Sequence, residues 1–393
     1  NITDTVQIMC GDIQHKAQGE ADAVLVQRLC ELSGPVIDWL CVRHNLNLTL
    51  VKGFLYPGHS ALRMHAPPSR AGADLMADLG RAVAAADITV MTQAHVTDLY
   101  ASPDGGICGV RIARPDGGAE YIGCDALILA CNGFGGNPAM VQDHIPNMGS
   151  ALYFGHQGNQ GDAINWGQAL GAATRHLGAY QGHGSVAEPH GILISWALMM
   201  QGGLQINRDG KRFSNEHSGY SEQARRVIAQ PSGFAWNLFD DRLLDLGRGF
   251  EDFRQAEALG AIQSAPTIPA LAEMISVPAA QLAETLGLVV GYATLQQLDA
   301  FGRDFSQHPI LEPPYHALKV TGALFHTQGG LVVDAKARVL HRDGTLLPNL
   351  LAGGGAACGV SGSEDWGYLS GNGLLTAATL GYRAGLTAAD LVG

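Results

Sequence analysis

The fold is decided by three glycine-rich runs near the C-terminus: Gly322-Ala-Leu-Phe-His-Thr-Gln-Gly-Gly330, Leu351-Ala-Gly-Gly-Gly355 and Gly367-Tyr-Leu-Ser-Gly-Asn-Gly-Leu-Leu375. Because glycine has no Cβ, backbone N–H groups in such runs can approach a flat or anionic ligand closely. A fourth run, Asn132-Gly-Phe-Gly-Gly-Asn137, follows an apolar segment over 126–131 that is typical of a buried parallel strand. The pattern predicts a cradle for a cofactor.

The order of these runs resembles that of the fumarate reductase / succinate dehydrogenase flavoprotein superfamily, the FAD-dependent oxidoreductase 2 superfamily. In that family an HTxGG run ends the substrate-capping domain, and a Gly-Asn-Gly/Ala-Leu run opens a helix that points at the isoalloxazine ring. The run from Gly203 to Glu216, which contains Asn-Arg-Asp-Gly-Lys-Arg-Phe, is similar to a hairpin signature of the same family. The resemblance implies FAD as cofactor and an enzyme that acts on CH–CH groups.

The resemblance also implies an α/β fold in which a split, Rossmann-like flavin-binding domain carries a β-meander and is interrupted by an inserted α+β capping domain. We expect the flavin-binding domain over residues 1–178 and 327–393, and the capping domain over 179–326. Within the first part, apolar spacing predicts two short helices broken at Gly34-Pro35 and a helix over 72–86. A strand at 88–91, a meander between 95 and 122 and a helix that begins at Asp162 follow.

Members of this family begin with a strand, a G-x-G-x-x-G turn and an acidic residue that together hold the FAD pyrophosphate and ribose. The sequence contains no such motif, and we expect the region that matches the family to begin near Ala17. Relative to the family, we therefore expect about 60 to 100 N-terminal residues to be absent, which is consistent with at least one βαβ unit. We also expect this chain alone to bind FAD weakly.

The remaining glycine-rich segments supply the expected FAD contacts. By the resemblance, the helix that begins after Gly371 directs its N-terminus at the flavin O2 side, where reduced flavin carries negative charge. A glutamate that contacts the cofactor sugar in the family is replaced by Gly354. The expected cofactor-binding residues are Val96, Gly133, Gly135, Gly353, Gly354, Gly371, Asn372, Leu374 and Leu375.

The substrate-site residues depart from the dicarboxylate-reducing members. Tyr220 stands where those members carry a proton-donating Arg, and Met199 where they carry an Arg that binds carboxylate, an interaction that only a bidentate guanidinium makes well. Tyr368-Leu-Ser370 instead resembles the Tyr-x-Ser of flavin-dependent 3-ketosteroid Δ4-dehydrogenases, with Trp196, Met199 and Met200 lining an apolar pocket. The predicted catalytic residues are Tyr368, Ser370, Tyr220, His326 and His183.

These features predict an FAD-dependent oxidoreductase that interconverts C–C and C=C bonds beside a carbonyl by hydride transfer with flavin N5, on an apolar, steroid-like cyclic ketone. One alternative is a dicarboxylate or tricarballylate-type dehydrogenase, or a fumarate reductase-like enzyme, that uses a rearranged Arg such as Arg225 or Arg226. The other is a non-catalytic remnant that binds no flavin.

The composition of the 393-residue chain limits the classes of molecule with which it is expected to interact. Its formal charge of −12 disfavours nucleic acid and anionic membranes. No apolar run reaches the ~18 residues of a membrane span. Seven cysteines without metal-ligand spacing predict reduced thiols, no metal site and a cytoplasmic protein. We expect a small-molecule substrate and an electron-transfer partner.

Overall fold

Both helices and strands occur throughout the chain, in a computed structural model that describes residues 3–53 and 55–393. Asn1 and Ile2, with which we expect the flavin-binding domain to open, lie outside the described residues. The helices are α1 (Val6–Lys16), α2 (Ala23–Asp38), α3 (Gly72–Ala85), α4 (Pro138–His144), α5 (Asp162–Ala169), α6 (Ala197–Met200), α7 (Tyr220–Ile228), α8 (Asp241–Arg248), α9 (Glu251–Ala258), α10 (Ile268–Met274), α11 (Ala279–Leu295) and α12 (Asn372–Val392). The strands are β1 (Thr49–Leu50), β2 (His65–Ala66), β3 (His95–Ala101), β4 (Ile107–Ala113), β5 (Ala119–Gly123), β6 (Leu127–Leu129), β7 (Leu152–Tyr153), β8 (Thr174–Arg175), β9 (Tyr180–Ala187), β10 (Ile192–Leu193), β11 (Leu204–Ile206), β12 (Phe234–Asp240), β13 (Ile262–Ala265), β14 (Tyr315–Thr327), β15 (Gly330–Leu331), β16 (Arg338–Leu340) and β17 (Leu346–Ala352).

A small sheet in the order β16-β17-β6 carries two of the glycine-rich runs. Strand β6 is parallel to β17, with Leu127 opposite Leu350, as the apolar run at 126–131 predicts. The carboxyl ends of both strands therefore lie at one edge, where ligands bind in open α/β sheets. The sheet shares a hydrophobic core with α1, α2 and α12 that includes Ile13, Leu29 and Leu380.

The predicted meander is present as the antiparallel sheet β3-β4-β5. Its first strand is joined to α5 by a hydrogen bond of 3.3 Å from Trp166 Nε1 to the Thr97 carbonyl. Helix α5 begins at Asp162, as predicted.

A seven-stranded sheet forms around the 13-residue strand β14. Its main path is β10-β9-β14-β12-β11, and β13 and β7 pair with β14 as well. Strand β7 precedes residue 178 in the chain but pairs with β14 at Leu152 and Ala323, so this sheet crosses the expected boundary at 178/179. The domain boundaries stay a prediction.

Helix α7 lies unusually close to β9 and β14 because three strand residues have no side chain. A Cβ on Gly322 would come within 2.2 Å of the Ala224 carbonyl oxygen, and one on Gly182 within 2.6 Å of the Ala224 Cβ. On Gly184 it would lie 2.8 Å from Gln223. We call Gly182, Gly184 and Gly322 the glycine patch. It sets the height of α7 above the sheet.

A buried ion-pair cluster anchors the segment that leads into α7. The Glu216 carboxylate accepts from Arg212 at 2.6 Å and from Arg303 at 2.8 Å, and Arg212 also pairs with Asp299. Burial by itself raises the pKa of Glu216, but Arg303 and Arg212 together lower it to about 2. The carboxylate is therefore ionised across the physiological pH range.

This cluster also explains why the predicted hairpin at Gly203–Glu216 is incomplete. Its turn is closed by a 2.9 Å bond from Asn207 N–H to the Lys211 carbonyl. Beyond the turn the chain forms no returning strand, and β11 pairs with β12 instead. Residues 211–216 turn inward, where Arg212 pairs with Asp299 and Glu216 pairs with Arg303.

Two other predictions are wrong. Helix α2 runs unbroken through Pro35, because its buried face, which includes Leu25, Leu29 and Val36, holds the helix although Pro35 cannot donate a backbone hydrogen bond. Residues 88–91 form no strand. Ile88 and Val90 are more than half exposed, and no described strand pairs with them.

We expect Gly322→Ala to lower the free energy of unfolding by roughly 1 to 3 kcal/mol, because the new methyl group overpacks the interface with α7. The matched control is Gly80→Ala in α3, where no atom lies within 4 Å of the added Cβ. That change should stabilise the protein by about 0.5 to 1 kcal/mol. Urea unfolding measures both, and equal effects would contradict the close approach of α7.

We expect Glu216→Gln to lower the free energy of unfolding by about 3 to 5 kcal/mol at pH 7, because it leaves Arg303 buried without its counter-charge. The folded-state pKa is depressed below the unfolded value, so this stabilisation is present above the unfolded pKa of about 4.3 and is lost as pH falls toward the folded value. The difference from the parent should therefore shrink below about pH 4.3. Glu31→Gln, at an exposed pair with Arg28, should cost less than about 1 kcal/mol. A difference that does not change with pH would refute the ionised assignment.

Candidate active site

The five predicted catalytic residues lie together where α7, β9, β14 and the turn before α12 meet. The ring of His183 stacks on Tyr220 with centroids 4.8 Å apart, and Tyr220 meets Tyr368 edge to face at 6.2 Å. His326 contacts the other side of Tyr368 at 5.8 Å. Ser370 is buried, and its hydroxyl lowers the pKa of Tyr220. The roles of these residues stay predictions, but their convergence is a property of the fold.

Two backbone features place the phenols. Tyr220 is the first residue of α7, so the glycine patch holds it beside β9. Tyr368 and Ser370 lie in the turn that ends at Gly371, whose φ of 88° is the left-handed conformation that glycine adopts without strain. Each phenol is therefore fixed by a glycine-dependent contact.

Both phenols are protonated at neutral pH. Burial raises the pKa of Tyr220 well above its usual range. Burial also raises the pKa of Tyr368 to about 12, although hydrogen bonds from the Gly373 and Gly371 N–H groups oppose the rise. In this state the hydroxyls can donate a hydrogen bond to a ligand carbonyl, whereas proton abstraction needs a relay.

His183 is neutral, and its tautomer is fixed. Burial lowers its pKa to about 3. Its Nδ1 atom accepts from the Ser185 N–H at 3.1 Å, so the proton resides on Nε2, which can donate to a substrate. Burial lowers the pKa of His326 as well. A Cβ at position 373 would lie 2.4 Å from His326 Nε2, which explains the glycine there.

Apolar groups surround the phenols. Trp196 and Met199 are each 1% exposed and belong to the same hydrophobic cluster as Tyr220 and Tyr368, with Met200 packed against it. Trp196 is held in place by a 3.0 Å bond from its Nε1 to the Glu216 carbonyl.

Sequence reasoning missed two aromatic neighbours. Tyr56 meets Tyr220 at 6.4 Å, and Phe325 stacks on His183 at 5.5 Å. Phe325 directly precedes the HTxGG histidine, so its place in the motif was a usable signal. Tyr56 lies in a segment without regular structure, where no periodicity could indicate it.

Two arginines near the site, Arg225 and Arg70, have different partners. Arg225, a proposed substitute for the missing family Arg, bonds to the buried carboxylate of Asp365. Arg70 lies over the ring of Phe250 at 5.0 Å. Burial raises the pKa of Tyr56, and the positive charge of Arg70 opposes that rise.

The carboxyl edge of β6 and β17 and the first turn of α12 fit a flavin. The N–H groups of a first helical turn have no intrahelical acceptor and favour negative charge. The Leu374 side chain in this turn is 68% exposed, and Gly354, after β17, has a φ of 59°. The Asn372 N–H already donates to the Leu369 carbonyl at 3.0 Å, and the Gly373 N–H acts on the Tyr368 hydroxyl. What this edge offers a flat ring with an electronegative side is therefore the positive end of the α12 dipole beside the exposed Leu374 side chain.

Other expected cofactor residues serve contacts within the protein. The N–H of Gly133 donates to Asn132 Oδ1 at 2.9 Å, and that of Gly353 donates to the Leu129 carbonyl at 3.1 Å. A Cβ at Gly133 would lie 1.9 Å from Thr327 Oγ1, and one at Gly135 2.4 Å from the Tyr153 ring. The small size of these glycines is therefore already required by packing.

The last three expected cofactor residues lie in α12 and in the meander. Asn372 is buried, with Nδ2 3.4 Å from Ser361 Oγ, and Leu375 is half-buried. Val96 is a half-buried residue of β3 opposite Ile112. All nine cofactor assignments stay predictions. In the part of the chain that the structure describes, no three metal-ligating side chains come together. No described helix combines the length and the apolar character that crossing a bilayer requires.

Residues 2–374 match the protein family described as "FAD binding domain". From the sequence we expect the match to begin near Ala17. It begins at residue 2 instead, so α1 also belongs to the matched region. A probable fumarate reductase of Shewanella frigidimarina (strain NCIMB 400), Ifc3, is 26% identical over 390 residues, which cover 99% of this chain and 65% of that protein. A 4-oxocyclohex-2-ene-1-carboxylate 5-dehydrogenase of Sinomonas cyclohexanicum is 27% identical over 396 residues, which cover 87% of this chain and 65% of that protein. The chain thus spans slightly less than two thirds of the length of either relative.

The fold is shared with a solved dehydrogenase structure. A crystal structure of 3-ketosteroid-Δ4-(5α)-dehydrogenase from Rhodococcus jostii RHA1, in complex with 4-androstene-3,17-dione, aligns with a TM-score of 0.74 and 20% identity. The alignment covers 99% of this chain and 84% of that chain. The predicted α/β flavoprotein fold is confirmed by this likeness. By the family match over most of its length, the chain belongs to the FAD-binding superfamily of oxidoreductases that includes fumarate reductases.

Proposed function

We propose that this protein is an FAD-dependent oxidoreductase that interconverts a C–C and a C=C bond beside the carbonyl of an apolar, steroid-like cyclic ketone. The observation that carries the proposal is the convergence of Tyr220, Tyr368 and Ser370 in a buried, mostly apolar site next to the first turn of α12. Hydroxyl donors suit a neutral carbonyl, whereas a carboxylate calls for a guanidinium.

FAD would be held by backbone groups after β6 and β17 and by the first turn of α12. When bound, it supplies a two-electron centre that exchanges hydride with the substrate through flavin N5. The chain itself must then hold the ketone and move one proton.

The protein groups divide these two tasks. Tyr368 and the Nε2–H of His183 can donate hydrogen bonds to the carbonyl, which stabilise the negative charge that develops on its oxygen as a neighbouring C–H bond breaks or forms. The Ser370 hydroxyl acts on that of Tyr220, so the two groups provide a path for the proton. In the reducing direction, a protonated phenol is already the required donor.

Two of the similar proteins support a ketone as the class of substrate. The name of the Sinomonas relative specifies a cyclic ketone, and the Rhodococcus structure contains a steroid ketone. Trp196 and Met199 supply an apolar wall at positions where we expect polar or charged residues in dicarboxylate-reducing relatives.

A second candidate function is a dehydrogenase or reductase of a carboxylate substrate, of the dicarboxylate, tricarballylate or fumarate type. The Shewanella relative is named as a fumarate reductase, and Arg70 is the observation that favours this reading, because its positive charge acts on Tyr56, which contacts Tyr220. Arg225 is a weaker candidate, since Asp365 already binds it.

An electron-transfer partner and a cytoplasmic location belong to the same proposal. Redox turnover requires a second substrate or protein that resupplies or removes electrons. All seven cysteines are free thiols in the structure, in keeping with a reducing compartment. A non-catalytic remnant would instead show no visible flavin bands after purification and incubation with FAD.

We expect Tyr368→Phe and Ser370→Ala each to slow flavin reduction or oxidation by a cyclic ketone by ~100 to 10,000-fold, the usual contribution of a general acid or base. Stopped-flow single-turnover absorbance measures this rate. Flavin content should stay unchanged, and stability should change by about 1 kcal/mol. Tyr121→Phe, at a 68% exposed residue of β5, is the control. Variants that react as fast as the parent would return both residues to structural roles.

We expect fumarate and succinate to be poor substrates, with fumarate turnover below ~1 per second. The resemblance implies two carboxylate-binding Arg residues in dicarboxylate-reducing members, one replaced here by Met199 and the other by the run over 361–368. Each lost bidentate contact costs about 1.5 to 3 kcal/mol, so the loss of two lowers affinity by roughly two to four decades. Steady-state rates with fumarate, a neutral cyclic ketone and a cyclic keto acid check this. Arg70→Met should leave the KM of the neutral ketone unchanged. Fast fumarate turnover that Arg70→Met abolishes would establish the second candidate function instead.

A further inference from the structure

His59 connects the turn that carries Tyr368 and Ser370 to a distant part of the chain. The residue is 8% exposed and lies in the irregular segment between β1 and β2. Its Nε2 atom is 2.9 Å from the backbone oxygen of Ser370, and its Nδ1 atom is 3.0 Å from Arg63 Nη1. Each ring nitrogen therefore has one polar partner.

These partners determine the tautomer of His59. A guanidinium can only donate hydrogen bonds, so Nδ1 must accept from Arg63. In the neutral ring the proton then lies on Nε2, which donates to the Ser370 carbonyl. The hydrogen bond between His59 and Ser370 therefore runs in one direction only, from the Nε2–H to the carbonyl oxygen.

Arg63 is itself held by two carboxylates. Its Nη1 donates to Asp12 at 2.6 Å, and its Nε donates to Asp4 at 2.8 Å. Asp12, on α1, also accepts from the N–H and the hydroxyl of Ser60, the neighbour of His59. The Arg63 side chain is 8% exposed and that of Asp12 9%, so water screens this pair little. We call Asp12, Arg63 and His59 the His59 clasp.

The clasp acts on one rigid peptide group. The Ser370 carbonyl and the Gly371 N–H belong to the same planar unit, and in a trans peptide they point in opposite directions. His59 holds the carbonyl end. The N–H end belongs to Gly371, the left-handed residue that directly precedes α12, and this N–H group lowers the pKa of the Tyr368 hydroxyl. Rotation of this unit would release His59 and Tyr368 together. The orientation of the Gly371 N–H toward Tyr368 is thus coupled to His59, although the His59 ring itself does not contact the phenol cluster.

We propose that His59 is a positioning residue that, through the Ser370–Gly371 peptide, fixes the hydroxyl of Tyr368 and the first turn of α12. The catalytic consequence rests on the proposed function, whereas the structural coupling does not. Misplacement of a catalytic group by about 1 Å can cost ~100-fold in rate, so a clasp outside the reacting atoms can still matter for turnover.

The test compares three variants in the FAD-loaded protein. His59→Gln keeps an amide donor for Ser370 and an oxygen that accepts from Arg63. His59→Leu removes both functions, and His59→Asn keeps the amide but is one methylene too short to reach Ser370. Hydrogen exchange of a peptide that spans residues 369–375, read by mass spectrometry, reports the Gly371 and Gly373 amides without any need for turnover.

We expect exchange of this peptide to be faster by roughly five- to tenfold in His59→Leu and His59→Asn, the equivalent of about one hydrogen bond, and close to the parent in His59→Gln. Tyr368→Phe removes the acceptor of the same amides, so it should raise their exchange too, and His59→Leu should add little in that background. The catalytic rate kcat should fall by ~10- to 100-fold in the Leu and Asn variants, with KM little changed and with recovery in the Gln variant.

Exchange that is unchanged in the Leu and Asn variants, or that rises equally in the Gln variant, would overturn the proposal. If His59→Leu does not load FAD, the Asn and Gln pair decides the question. A parent protein that turns over no cyclic ketone would refute the proposed function, and the exchange pattern would still decide whether the clasp orients Tyr368.

Discussion

The active site depends on the close approach of one helix to one sheet. Three glycines let the backbone of α7 approach β9 and β14 to distances that any Cβ would prevent. This contact places Tyr220 over His183, and the buried Glu216 cluster holds the chain that leads into the helix. The two arginines of that cluster are balanced by the two carboxylates of Glu216 and Asp299. The cluster therefore holds the segment that leads into α7 without adding net charge beside the phenols.

The chemistry of the site follows from this dense packing. The rings of His183, Tyr220 and Tyr368 exclude water from one another, and burial is the largest cause of every pKa shift among them. Histidine becomes neutral and the phenols stay protonated, so the site presents neutral donors. Such a site favours a polar but uncharged group on the ligand, which is why we place a ketone there.

Much of the fold could be predicted, because the glycine-rich runs and alternating strands are local signals. The meander, the parallel strand β6 and α5 were accessible in this way, and so was the set of residues around Tyr368. The errors arose where distant contacts override local ones. Pro35 is tolerated because a buried face holds α2. The chain after β11 does not return as its partner strand, because Arg212 pairs with Asp299 and Glu216 with Arg303, and β11 pairs with β12 instead. Tyr56 and His59 lie in an irregular segment, and the contacts that join them to the site, with Tyr220 and Ser370 respectively, lie more than 150 residues away in sequence.

The pairing of β6 with β17 has a consequence for biosynthesis. The two strands are separated by more than 200 residues, and the seven-stranded sheet is built almost entirely from the chain between them. Closing so long a loop is entropically costly and slow, whereas the intervening strands have shorter-range partners. As the chain emerges from the ribosome, the seven-stranded sheet can therefore assemble before β17 is available to pair with β6. An exposed apolar edge at residues 127–129 during that interval is a natural substrate for chaperones.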